Sequence, residues 1–148
     1  MPGRVSDDDY QRLLGFRTGL RRFERWSEQQ AEGAGLTSAQ HQLLLAVRGH
    51  PDRRGPTVGE LSEYLILRHH SVVELIDRAV ASGLVRRTVD PTDRRLVRLR
   101  PTAHGNAVLR SLTRAHLGEL ARLAQVHEGL WDGLEPTKHL PPERRAEL

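Results

Sequence analysis

The chain has 148 residues, 28% of them charged, 37% hydrophobic and 4% aromatic, with no cysteine and a formal net charge of +4. That length suits a single domain, 1–148, with a sizeable core, and no run approaches the 18 apolar residues of a membrane span. Without thiols there are no disulfides, no thiolate metal sites and no cysteine nucleophile.

Met1 to Asp9 carries three acids and no apolar stretch, so no secretory signal is expected and a cytoplasmic location is the expectation. Ser6 with Asp9 three residues later forms a capping signature, and Asp7, Asp8 and Asp9 favour the positive end of a helix dipole. Tyr10, Leu13, Leu14, Phe16, Leu20, Phe23 and Trp26 follow, mostly at helical spacing, until Gly33-Ala34-Gly35 ends the helix. Thr37 and Gln40 make a capping box for a second helix, with Leu43, Leu44 and Val47 on its apolar side. It stops near Gly49-His50-Pro51, before a charged, turn-rich loop to Pro56. Thr57 and Glu60 cap a short third helix bearing Val58, Leu61 and Leu65. A fourth runs from about His69 to Ala81, with Val72, Leu75, Ile76 and Ala79 at helical spacing and Ser82-Gly83 closing it.

The pattern then changes. Leu84 to Val89 and Leu96 to Arg100 read as the strands of a β-hairpin around the turn Asp90-Pro91-Thr92-Asp93. Alternation puts Arg98 and Arg100 on one face and Val97 and Leu99 on the other, and Pro101 is expected to end the ladder. Thr102 caps a long helix through Val108, Leu109, Leu112, Leu117, Leu120 and Leu123, extending towards Leu134, with Gly118 and Gly129 as places where it bends or breaks. Pro136, Pro141 and Pro142 predict an irregular tail over 135–148.

The charge is not spread evenly. Residues 1–67 hold nine Arg and nine acids, and residues 101–148 hold six basic residues and six acids. Residues 68–100 hold eight Arg against Glu74, Asp77, Asp90 and Asp93, so the whole surplus lies in this stretch. A local basic patch is the footprint of a polyanionic partner. Three short helices followed by a basic hairpin form a winged helix-turn-helix. The fold expected is mainly α, with a small β-hairpin wing. A short helix can enter the major groove, and an Arg-rich hairpin can lie along the backbone and reach the minor groove.

Leu61-Ser62-Glu63-Tyr64-Leu65, Ser71-Val72-Val73, Ile76-Asp77-Arg78, Gly83-Leu84-Val85-Arg86-Arg87, Asp93-Arg94-Arg95 and Thr102-Ala103-His104-Gly105 together resemble MarR-family transcriptional regulators, from about Leu36 to Leu120. The resemblance implies a winged-helix DNA-binding lobe over 36–101 and N- and C-terminal dimerisation helices over 6–33 and 102–134. It implies a homodimer on double-stranded DNA with a pseudo-palindromic operator, and repression relieved by a small-molecule effector. On the matching positions, the recognition helix would present Arg68, His69, His70, Ser71, Val73, Glu74 and Arg78. In the wing, Arg95 would brace the hairpin through Asp93 or Asp77, Arg94 would reach the minor groove, and Arg86, Arg87 and Arg98 would meet phosphates. Arg68 stands where a Ser or Thr cap is usual, Ala79 where a Leu usually packs, and Pro101 where a Leu usually precedes Thr102.

Trp26, His41, Leu45 and Leu112 are candidates for an effector pocket between the first, second and long helices. His116 and His127 share a helix face but sit too far apart to hold one ion. A zinc site completed by His41, His104 or Glu119 is the weaker reading, and no metal or cofactor is expected. No phosphate loop, nucleophile elbow or paired-His motif points to an enzyme. The alternative function is a winged-helix protein-interaction module that does not bind DNA.

Overall fold

The computed structural model describes residues 5–126. The expected continuation of the long helix to Leu134, Gly129, His127 and the proline-rich tail lie outside the described residues. The elements are α1 (Asp7–Gly33), α2 (Ser38–Gly49), α3 (Val58–Leu65), α4 (His69–Ala81), β1 (Val85–Val89), β2 (Val97–Pro101) and α5 (Ala103–Val126). This is a mainly helical chain with one two-stranded antiparallel hairpin, the winged helix-turn-helix expected from the sequence.

The helix starts follow from their caps. Ser6 and Asp9 bond reciprocally ahead of α1. Thr37 with Gln40 and Thr57 with Glu60 form complete capping boxes before α2 and α3. Each box satisfies two backbone donors that a helix start otherwise leaves open. Thr102 Oγ1 accepts from the Gly105 amide at 3.0 Å and starts α5. α5 runs through Gly118 without a break. Before α4, Arg68 occupies the cap position and makes no capping bond.

The chain divides into two compact units. Among the described residues, one contains the part of α1 before Trp26 and the part of α5 from Gly118 onward. In this unit Tyr10, Leu13, Leu14 and Leu20 of α1 and Leu120 of α5 stand exposed. The other unit, Trp26–Leu117, contains the winged helix and the core. Leu43, Leu44, Leu61, Val72, Leu75, Ile76, Leu84, Val85, Leu99, Leu109 and Leu112 are buried together there. Ala79 is fully buried among them, so its small side chain leaves α4 in close contact with its neighbours.

In the hairpin, Val85 pairs with Pro101, Arg86 with Arg100, Arg87 with Leu99 and Val89 with Val97. Pro101 is the final residue of the ladder and ends it, as expected. It stands at the last position, where a missing N–H removes no interior bond. The loop before α3 adds to the sheet: the Leu99 amide donates to the Pro56 carbonyl at 2.9 Å, and Thr57 forms an isolated bridge with Arg98. Two glycines permit close approach. Gly55 has φ 88°, and a Cβ there would meet the Leu99 carbonyl oxygen at 1.9 Å. A Cβ on Gly105 would lie 2.0 Å from the Leu84 carbonyl oxygen.

The obstacle at Gly105 is backbone, which cannot swing away as a flexible side chain would. Gly105→Ala should destabilise the fold by about 1–3 kcal/mol, the usual cost of overpacking. Urea unfolding checks this, and Gly118→Ala, where a Cβ meets nothing within 4 Å, is the control.

Candidate nucleic-acid interface

α4 begins with its open amides at Arg68, His69 and His70, all exposed. Glu74 and Arg78 are exposed further along, while Ser71 and Val73 are half-buried. The opposite side of α4, Val72, Leu75, Ile76 and Ala79, is buried. The helix therefore offers one polar face with a positive dipole end and no side-chain cap across it. The turn before it holds Ile66 at φ 53° and 90% exposed. A β-branched residue in the left-handed region carries strain. The sequence reading did not single out Ile66, and its only signal there is an apolar residue where a turn must fall.

The wing turn is built on Asp90. Its Oδ1 accepts from the Thr92 amide at 2.8 Å, the Thr92 hydroxyl at 2.6 Å and the Asp93 amide at 2.9 Å. Its Oδ2 takes the Nε of Arg98 and lies 3.5 Å from Nη1 of Arg54. Asp90 is 1% exposed and Arg98 8%. Arg98 Nη1 also donates to the Gly55 carbonyl at 2.8 Å. The Thr92 hydroxyl, the Arg98 guanidinium and the two turn amides hold the Asp90 carboxyl well below the usual carboxylate range.

This corrects the expectation for Arg98, whereas Arg95 pairs with Asp93, one of the two acids expected for it. Arg98 does not share the exposed face of Arg100 and does not offer its guanidinium to phosphate. It is buried where Asp90 and Gly55 satisfy its donors, beside the Pro56–Thr57 segment that pairs with the edge of its strand. It is also the brace of the wing. Arg95 binds Asp93 through Nε at 3.0 Å and Nη2 at 2.9 Å, but its side chain is 90% exposed. That pair shapes the tip and leaves the hairpin base to Arg98. Arg94 is exposed at the same tip. Asp77 of α4 pairs with Arg87 of β1, tying α4 to the wing. Arg86, the neighbour of Arg87, points to the other face of the strand.

Arg68, His69, His70, Ser71, Val73, Glu74 and Arg78 thus lie along α4, and Arg94 and Arg95 lie at the wing tip. Arg87 is engaged with Asp77, Arg86 faces elsewhere and Arg98 is internal. The model of the MarR family matches residues 34–96, the segment that holds all three short helices and most of the wing. Over that segment the chain is similar to the MarR family.

Its relatives agree. The chain is 38% identical over 56 residues to an uncharacterized HTH-type transcriptional regulator, YsmB, of Bacillus subtilis, a match covering 38% of each protein. It is similar to the crystal structure of the MarR-family transcription regulator SP03579, with 27% identity, TM-score 0.67, and 83% of this chain and 78% of that one covered. The fold also matches a mutant form of Escherichia coli MarR complexed with operator DNA, at 21% identity and TM-score 0.60 over 98% and 93% of the two chains.

The unit Trp26–Leu117 carries a second constellation. Trp26 and His41 lie against the His116 ring at centroid distances of 4.8 and 4.7 Å. His116 Nε2 is 2.8 Å from the Ser27 hydroxyl, and its Nδ1 is 2.7 Å from the Leu112 carbonyl. Of the expected pocket residues, Trp26, His41 and Leu112 gather at this ring. Leu45 is 51% exposed, because it falls just outside the arc of α2 that Gln40, His41, Leu43, Leu44 and Val47 bury. Among the described residues no group of three or more His, Asp or Glu could hold a metal ion.

Burial, and then the nearby His116, lower the pKa of His41. A depressed folded value means the unfolded chain takes up the proton first, so stability is present above about pH 6.5 and is lost as pH falls through the folded value. Urea unfolding between pH 7.5 and 5 should show this acid-side loss, and His41→Gln should reduce its slope. An unchanged slope in that variant would mean the loss arises at other groups.

Proposed function

We propose that this protein is a transcription regulator that binds double-stranded DNA as a homodimer, with α4 in the major groove and the wing tip at the adjacent minor groove. The observation that carries the reading is the open start of α4. Arg68 leaves the first amides of the helix uncapped, and His69, His70 and Glu74 are exposed beside them. Uncapped amides at a positive dipole end suit phosphate oxygens. Glu74 can accept from a cytosine amino group, and the histidines can bond a purine edge or a phosphate. Arg94 and Arg95, held out by the Asp90 turn, suit backbone and minor-groove contact. The E. coli neighbour of the same fold was solved with operator DNA, which supports duplex DNA as the partner.

The homodimer is supported by apolar side chains that a single copy leaves exposed: Tyr10, Leu13, Leu14 and Leu20 on α1, and Leu117 and Leu120 on α5. Soluble monomers rarely leave such residues together in water. A dimer presents two recognition helices, so the operator is a pseudo-palindrome with half-sites about one helical turn apart. A small-molecule effector that relieves repression would sit against Trp26, His41 and Leu112, the aromatic end of the winged-helix unit.

Selection of duplex sites from a random pool by the pure protein tests the reading, and the expected product is a pseudo-palindrome. Enrichment of no site would favour a protein-interaction role. Arg94→Ala should weaken all sequences alike and reduce the slope of log K against log salt by about 1. Glu74→Ala should instead relax preference at one base pair of each half-site, by about 1–3 kcal/mol. Equal loss on every sequence for Glu74→Ala would assign it to positioning and not to base recognition.

A further inference from the structure

We infer that the winged-helix unit carries an anion-binding cleft apart from the recognition helix, suited to a small multivalent anion with phosphate or carboxylate groups. The cleft, of about 500 Å³, lies between the end of α2, the α2–α3 loop, the outer face of the hairpin and the first turn of α5. Arg48, Arg53, Arg86 and Arg100 line it with Asn106. All four arginines are exposed.

Three observations point to an anion. First, Arg86 and Arg100 are directly opposed in the hairpin register. Like charges across an antiparallel pair destabilise it, and an anion between them reverses the sign. Second, among the described residues none of the four arginines has a carboxylate partner. The one acid in the lining, Asp52, is bound by Arg54 through Nε and Nη2 and lies 3.9 Å from Arg98. Neighbouring His50 is turned to the Tyr64 hydroxyl at 3.0 Å and to Glu60 at 3.3 Å. Third, the walls are fixed in advance. Gly55 lies against the Leu99 carbonyl, and its own carbonyl is held by Arg98. A site that need not be ordered on binding retains more of its interaction energy.

Four guanidiniums can each fork onto a phosphate or carboxylate, so an occupant with two or more charges fits best. The positive end of α5 adds to the field, because Asn106 lies in its first turn. The concave shape suits a compact molecule better than a duplex. The hairpin face that carries Arg86 is opposite the face on which Arg87 meets α4.

Pyrophosphate and citrate, titrated into the DNA-free protein at constant ionic strength, test the inference. Saturable shifts are expected in the 1H-15N signals of Arg48, Arg53, Arg86, Arg100 and Asn106, with a rise in Tm beyond that given by chloride. Arg86→Gln combined with Arg100→Gln should weaken the response at least tenfold, as should Arg53→Gln alone, while Arg94→Gln should leave it intact. Three outcomes would overturn it. One is a non-saturating response spread over all exposed arginines. Another is a response centred on Arg68 and Arg94. The third is no response, with operator affinity lost in the double variant, which would make the cleft a DNA-backbone contact. Because the titration contains no DNA, its result is independent of whether the chain binds an operator.

Discussion

The ion pair between Asp90 and Arg98 is the constraint on which the wing depends. Burying two charges is costly unless their remaining hydrogen-bonding capacity is met. Here it is met on both sides. One carboxylate oxygen of Asp90 gathers the turn through the Thr92 amide and hydroxyl and the Asp93 amide, and the other takes Arg98. Arg98 in turn reaches the carbonyl of Gly55, 43 residues earlier in the chain. Turn, strand and α2–α3 loop are joined at one node. With the base fixed, Arg94 and Arg95 stand at a defined tip and Arg86 and Arg100 at a defined outer face.

Helix α4 is held by different means. Its inner face is apolar, and Asp77 reaches across to Arg87 of β1. Its start lacks the capping box that α2 and α3 both have. A cap there would satisfy the amides internally and place a side chain across the dipole end. The helix that needs no partner at its start is closed, and the one whose start faces outward is open. Local stability is given up at that start, because no side chain satisfies its amides.

The helices were legible because their signals are local. A capping pair lies three residues apart, an apolar stripe repeats every three or four, and Ser82-Gly83 ends α4 where the chain says it should. The hairpin was legible as a hairpin, but not in which side of it is covered. Strict alternation places Arg98 with Arg100 because it assumes one dry face and one wet one. Pro56 and Thr57, some 40 residues upstream, pair with the edge of that strand, and the preceding Gly55 carbonyl draws the Arg98 guanidinium inward. No pattern within the strand encodes that. Asp90 was readable as a turn residue, yet its second role needs the same distant loop. The cleft of Arg48, Arg53, Arg86 and Arg100 was still less legible, since it collects residues from three separate segments.

The surplus of positive charge in residues 68–100 therefore has more than one cause. Of its eight arginines, Arg98 is consumed in the interior and Arg87 by the recognition helix. Arg68 and Arg78 stand exposed on α4, and Arg94 and Arg95 at the wing tip. Arg86 and Arg100 remain, opposed to each other and turned away from the face on which Arg87 meets α4. A footprint of charge measured along a sequence adds these groups together, although burial, pairing and strand face separate them in space. A polyanion docked on α4 accounts for one group of arginines. It leaves unexplained why a two-stranded hairpin keeps two like charges at directly opposed positions, and a separate anion between them supplies the missing counter-charge.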